Sequence, residues 1–324
     1  MFKERINKML YNQYVWIAAA LLLSVFTSNA VLCLVIGMAA AILIGNPIAD
    51  KTGKASEKLL KTAVVLMGFG MSIGTMLKVG YASLWITFSS ILITMVLGIL
   101  YGRLFGIDRQ IAVLVSSGTA ICGASAVATM SPAIGATQAH TAIALAVVFI
   151  LNALGLLIFP FLGHLLNLSP ETFGLWAAIS IHNTSSVVGA VNVYGGAAIA
   201  IGVTVKLVRA LWIFPLAFIG ARLTKSDTKP PVQWFLIAFL AAGIITSILP
   251  EYKDSWKFLS KAGKHLMAGT LFLVGSCLTI AELKKVGIKS FLMAAALWVS
   301  ISIIAYTAVI TGFWSIPADI FIEK

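Results

Sequence analysis

The sequence predicts an all-α polytopic membrane protein of about eleven transmembrane helices, with inverted repeats and two broken (discontinuous) helices. Three observations carry this expectation. Of the 324 residues 60% are hydrophobic and only 10% charged, with a mean hydropathy of +1.01, whereas soluble domains carry roughly 25% charged residues. Apolar runs of about 20 residues, the length that spans a bilayer core, recur along the whole chain. Lysines and arginines gather in the short breaks between those runs, as they do in cytoplasmic loops.

The segments run approximately 13–28, 30–46, 58–77, 82–105, 110–136, 139–163, 171–196, 197–222, 232–250, 258–281 and 287–312. The opening stretch, "MFKERINKMLYNQYVWIAAALLLSVFTSNA", has the basic start and apolar run of a signal peptide. Its basic region is long and a second apolar segment follows at once, so it reads as a first transmembrane helix with a cytoplasmic N-terminus. With Lys3, Arg5 and Lys8 inside, the even-numbered exits carry Lys51, Lys54 and Lys58, then Arg103 and Arg109, then Arg222, Lys225 and Lys229, then Lys284, Lys285 and Lys289. The outward loops are poorer in cations, with Lys78 and "EYKDSWK" as exceptions, and 164–170 is uninformative. The net charge of +12 is therefore read as membrane topology, with no nucleic-acid partner.

An internal repeat adds to this. "GFGMSIGTMLKVG" at 68–80 aligns without a gap on "GSCLTIAELKKVG" at 275–287. Seven crossings separate the copies, so they run in opposite directions, as the inverted repeats of many secondary transporters do. One membrane domain over 1–324 follows, with repeat units at about 30–163 and 171–312 and an extra N-terminal helix at 13–28. Chance similarity between apolar sequences is the competing explanation. Cys33, Cys122 and Cys277 lie far apart in apolar runs, without metal-ligand or disulfide spacing, and read as small buried hydrophobes. Four isolated histidines make no metal site, and no cofactor is expected.

Two segments look broken. "SSGTAICGASAVATMSPAIGATQ" at 116–138 mixes Gly118, Gly123, Pro132 and Gly135 with small hydroxyl residues, and "SIHNTSSVVGAVNVYGG" crowds Ser180, His182, Asn183, Thr184, Ser185 and Ser186 into an apolar span. Unwound helices near mid-membrane expose backbone N–H and C=O ends and are common ligand sites. Close packing through small residues is the alternative, and it suits Ser116, Ser117, Ala124 and Ala126. No carboxylate lies well inside any segment, whereas Lys206 and Arg209 sit near the middle of one, on one face at i,i+3. Two buried cations without an acid call for an anionic ligand, or for backbone carbonyls as structural partners. His182 could couple proton movement or simply be hydrogen-bonded.

Together "GTAICGASAVATMSPAIGA", "SIHNTSSVVGA" and "VKLVRALWIFPLAF" resemble the YeiH-like sulfate exporter family of bacterial inner-membrane proteins, over nearly the whole chain. That family sits in a wider clan with the bile-acid:sodium symporters and sodium/proton antiporters. The resemblance implies a core domain, with two broken helices crossing at mid-membrane, beside a scaffold domain. "GTAICGASAV" is similar to the first broken helix, "SIHNTSSVVG" to the second, and "MGFGMSIG" to a short Met-Gly segment of the symporters. It further implies sulfate or a sulfonate as substrate. Two departures stand out: no intramembrane acid is present for sodium, and the crossing count sends both broken segments the same way, where the clan crosses them antiparallel.

The expected function is a secondary transporter, not an enzyme, that exports a small oxyanion by alternating access from the bacterial inner membrane. Its substrate site comprises Thr119, Cys122, Gly123, Ser125, His182, Asn183, Thr184, Ser185, Ser186, Lys206 and Arg209. Its partners are the anion, the lipid bilayer and H⁺ as a candidate coupling ion, and a homo-oligomer is compatible with the sequence. A passive anion channel, a proton- or sodium-coupled organic anion symporter, and an intramembrane enzyme built on His182 and Ser186 at i,i+4 are the competing classes.

Overall fold

A chain so poor in polar side chains must satisfy its backbone N–H and C=O groups internally, and helices do this within one segment. The computed structural model describes residues 13–27, 30–224, 234–277 and 287–317, and all regular structure among them is helical. In chain order the helices are α1 (Gln13–Phe26), α2 (Ala30–Leu43), α3 (Ala49–Gly68), α4 (Ile73–Ala82), α5 (Leu84–Leu104), α6 (Arg109–Ala120), α7 (Ala124–Ala133), α8 (Gln138–Leu165), α9 (Pro170–Ser180), α10 (Thr184–Asn192), α11 (Gly196–Leu211), α12 (Ile213–Thr224), α13 (Trp234–Ile248), α14 (Lys253–Ser276) and α15 (Ile288–Ile310). Two compact units result, Met1–Met76 with Gln233–Leu283, and Leu77–Val232 with Lys284–Lys324.

In the first unit α14 is the central element and packs on α1, α2 and α3. Trp16, Ala20, Cys33, Ala268, Phe272 and Leu273 form its buried apolar cluster. Gly269 lies against the Ala20 carbonyl and Gly275 against that of Leu34, so small residues let the helix backbones approach, as in membrane bundles. Here α3 begins at Ala49, well before the expected 58, and Lys51, Lys54 and Lys58 therefore ride on a helix rather than in a loop. The expected segment 58–77 is also broken, because α3 stops at Gly68 and α4 starts only at Ile73.

The second unit buries an apolar core and also exposes large apolar side chains, most clearly on α5. On α5 the buried face holds Thr87, Ser90, Thr94, Gly98 and Gly102, while Trp85, Phe88, Leu92, Val96 and Ile99 point outward at helical spacing. Among the described residues four helices are long and apolar enough to cross a membrane: Leu84–Leu104, Gln138–Leu165, Gly196–Leu223 and Ile288–Ile310. All four belong to this unit; a bent pair, Lys51–Gly68 with Ile73–Ala82, makes five if counted as one span. Pro215 interrupts the third, since it offers no N–H to the Leu211 carbonyl, and the helix pauses at Trp212.

Segments 110–136 and 171–196, read from the sequence as broken crossings, instead fold back on themselves. Gln110, at the start of α6, donates through Nε2 to the Gly135 carbonyl just beyond α7 at 3.1 Å, and its Oε1 lies 2.7 Å from His140 Nδ1. An extended pair of helices would hold residues 110 and 135 roughly 35 Å apart. Likewise Phe173, early in α9, stacks on Tyr194 just after α10, with ring centroids 3.8 Å apart. Hydropathy counts apolar residues without sensing direction, so a hairpin of two short apolar helices looks like one span. The repeat copy at 275–287 lies mostly outside the described residues, as do Lys3, Arg5, Lys8, Lys225, Lys229, Lys284 and Lys285.

Helix α8 fixes how the hairpins face each other. It begins beside the open end of the first, through His140, and ends beside the open end of the second, where His164 stacks on Tyr194 with centroids 4.4 Å apart. Its 28 residues rise about 42 Å. The two hairpins thus enter from opposite ends of α8, and their tips, Ile121–Gly123 and Ile181–Asn183, meet near its middle.

Candidate functional site

The meeting of the tips is held by amides. Asn183 ends the second tip, and its Oδ1 accepts from Ala124 N, the first N–H of α7, at 3.2 Å. Gly123 makes this approach feasible: its φ of 69° and ψ of −124° suit glycine alone, and a β-carbon there would collide with Asn183 Oδ1. Asn152, near the middle of α8, accepts from Asn183 N through Oδ1 at 2.9 Å and donates through Nδ2 to Ser186 Oγ at 2.7 Å. Thr119 Oγ1 and His182 Nε2 share a hydrogen bond of 3.2 Å between the tips.

Below the tips, α6 and α9 each stop short and leave carbonyls that no further helical turn can satisfy. Lys206 and Arg209, both fully buried on α11, supply the donors. Lys206 Nζ donates to Ile181 O at 2.6 Å and to Ala178 O at 3.3 Å. Arg209 Nη1 donates to Ile179 O at 2.5 Å and Ala178 O at 3.3 Å, and Nη2 reaches the other hairpin at Thr119 O, 3.2 Å away. Trp298 Nε1 takes the Ser180 carbonyl at 2.9 Å. The planar guanidinium fork lets one side chain serve two helix ends.

Of the expected site residues, Thr119, Gly123, His182, Asn183, Ser186, Lys206 and Arg209 come together here. Cys122 and Ser125 pair with each other, Sγ to Oγ 2.7 Å, at the start of α7. Thr184 is buried in the first turn of α10, and the side chain of Ser185 lies outside the described residues. His182 and Ser186 do not pair, because His182 Nε2 faces Thr119 and Ser186 Oγ is held by Asn152. Asn152 and Trp298 are additions; a lone amide in "VFILNALGLL" was the available signal for the first. Among buried described residues Lys206 and Arg209 are the charged ones, and none is acidic. Each helix C-terminus contributes roughly −0.5 charge and each N-terminus +0.5, so two of each leave the cations' surplus uncancelled. Arg209 Nε, His182 Nδ1, Ser180 Oγ and Thr204 Oγ1 are buried without a hydrogen-bond partner among the described residues.

Lipid-exposed apolar faces, buried small-residue packing and two tip-to-tip hairpins around buried cations define a multi-helical membrane protein. The chain belongs to the family described as "Conserved hypothetical protein 698", whose model matches residues 9–310. It is similar to the UPF0324 membrane protein of Geobacter sulfurreducens, 42% identical over 275 residues that cover 85% of this chain and 89% of the relative. The UPF0324 membrane protein of Bdellovibrio bacteriovorus is 40% identical over 304 residues, 92% and 93% of the two chains, and that of Photobacterium profundum 38% over 291 residues, 86% and 89%. No solved structure matches the chain.

Proposed function

We propose that this protein is a secondary transporter for a small oxyanion, working by alternating access at the hairpin tips. The observation that supports it most is the surplus of buried positive charge where four half-helix ends converge, with no buried acid among the described residues. In this reading Lys206 and Arg209 hold the carbonyl ends of both hairpins and keep the potential positive. The unpartnered Arg209 Nε, the His182 ring and nearby hydroxyls then take the anion's oxygens. Water is excluded by the amide lattice of Asn152 and Asn183, which must open on one side at a time. Sulfate or a sulfonate is the substrate class suggested by the resemblance, with export as the direction and H⁺ as candidate coupling ion.

The topology consistent with this has nine crossings and two re-entrant hairpins, the N-terminus in the cytoplasm and the protein in the bacterial inner membrane. Removing two crossings leaves Arg103, Arg109 and Arg222 on the same side as before, so the cation distribution still fits. It also removes the conflict over direction, since hairpins entering from opposite faces are antiparallel by construction. The purified full chain in proteoliposomes, loaded with radiolabelled sulfate, sulfonates, phosphate or carboxylates, tests the proposal. Saturable uptake with counterflow for one oxyanion is expected; flux without saturation points to a channel, and no flux of any anion refutes the proposal.

A further inference from the structure

The second unit carries an apolar groove distinct from the tips, of about 730 Å³. Its walls come from α5 (Met95, Ile99), α6 (Ala112, Val113), α7 with its C-cap (Met130, Ile134) and α12 (Leu216, Ile219), and Arg103, Arg109 and Gln110 stand at one end. Along α5 the wall extends eight residues from Arg103 down to Met95, about 12 Å, close to the roughly 15 Å depth of one leaflet's hydrocarbon. Both arginines are exposed and neither has an ionic partner among the described residues. The neighbouring acid, Asp108, is engaged as N-cap of α6, accepting from Gln110 N at 2.8 Å, and lies 3.7 Å from His140 Nδ1.

A channel of aliphatic side chains one leaflet deep, ending in two free guanidinium forks, matches one molecule in shape and charge. We propose that this groove binds an anionic phospholipid, its phosphate on Arg103 and Arg109 and its acyl chains against Ile99, Val113, Met130 and Ile219. Charge complementarity selects the headgroup, since a guanidinium pairs with a phosphate oxyanion through two parallel hydrogen bonds. A zwitterionic lipid carries its own compensating ammonium and gains less. The groove is formed by both legs of the first hairpin and by α12, where Gly220 sits against Met130 and Ile134. Occupancy therefore braces that hairpin against the span that carries Arg209 one stretch earlier.

The test uses the purified full chain in dodecylmaltoside, stripped of lipid, with tryptophan fluorescence following thermal unfolding and native mass spectrometry counting bound lipid. Palmitoyl-oleoyl phosphatidylglycerol is expected to raise the midpoint and remain bound at least tenfold more tightly than phosphatidylcholine with the same chains, while inorganic phosphate has no effect. The double variant Arg103→Gln/Arg109→Gln is expected to lose this preference. Ile99→Trp, at an exposed position that fills the groove, is expected to exclude both lipids, with size-exclusion profiles confirming that both variants fold. Equal effects of the two lipids on the unaltered protein overturn the proposal. So does a preference that survives in both variants, or stabilisation reproduced by inorganic phosphate alone, which would mark a free-anion site.

Discussion

Replacing Asn152 by leucine keeps the number and branching of side-chain heavy atoms and deletes both hydrogen bonds that anchor the second tip to α8. The Asn183 N–H then loses its acceptor, which costs about 1–3 kcal/mol, and the Ser186 hydroxyl loses a donor, about 0.5–1.5 kcal/mol. A leucine gains little in return, because the unfolded reference state of a membrane helix already lies in lipid. Destabilisation of about 1.5–4.5 kcal/mol is therefore expected. It should be read from reversible unfolding in mixed micelles, with a double-mutant cycle against Ser186→Ala returning a coupling of about 0.5–1.5 kcal/mol. A second readout is local: once Asn183 shifts, its hold on Ala124 N weakens, and Cys122, 5% exposed, should react faster with a small maleimide. A stability change below about 0.5 kcal/mol with unaltered Cys122 reactivity would refute the reasoning that these amides lock the tips together.

Three further outcomes follow from the same geometry. Gly123→Ala should cost about 1–3 kcal/mol in backbone strain alone and abolish transport, because its β-carbon also displaces Asn183; unfolding curves beside flux measurements check this. Arg209→Lys keeps the charge but cannot fork across two hairpins, so one of Thr119 O and Ile179 O is orphaned; a loss of about 1–3 kcal/mol in unfolding free energy is expected, with oxyanion affinity in calorimetry falling as well. In a background lacking the native cysteines, Leu104→Cys and Gln138→Cys should label with impermeant maleimide from one face, and Leu166→Cys and Val193→Cys from the other. Labelling of Leu104→Cys and Gln138→Cys from opposite faces would restore 109–133 as a crossing.

What could be read from the sequence was local chemistry. Both tips fall inside the stretches whose glycines, hydroxyls and amides marked them as broken, since Gly123 and the His182–Asn183 pair perturb the helix within a turn of themselves. The reversal at each tip was not legible: it is set by what the legs pack on, and Gln110 meeting Gly135 is a contact across 25 residues. The cations were found because charge in an apolar run is conspicuous, but their partners are backbone carbonyls, which every residue carries and only a helix end sets free. Asn152 is neutral and solitary in sequence, and its importance comes from being brought to the tips by a helix that begins fourteen residues earlier.

The dependence of Lys206 on carbonyls of the second hairpin, and of Arg209 on carbonyls of both, also constrains how the protein is made. At the centre of a helix entering the bilayer alone, each of these side chains costs about 2.5–3.5 kcal/mol on insertion scales. The acceptors that relieve this cost exist only once both hairpins, which precede α11 in the chain, are in place with their ends unwound. Order of synthesis and order of need therefore coincide: the hairpins emerge first and present a docking cradle, and the cationic span follows into it. A chain in which that span were translated ahead of its hairpins would carry this cost until its acceptors arrived, however stable its finished fold.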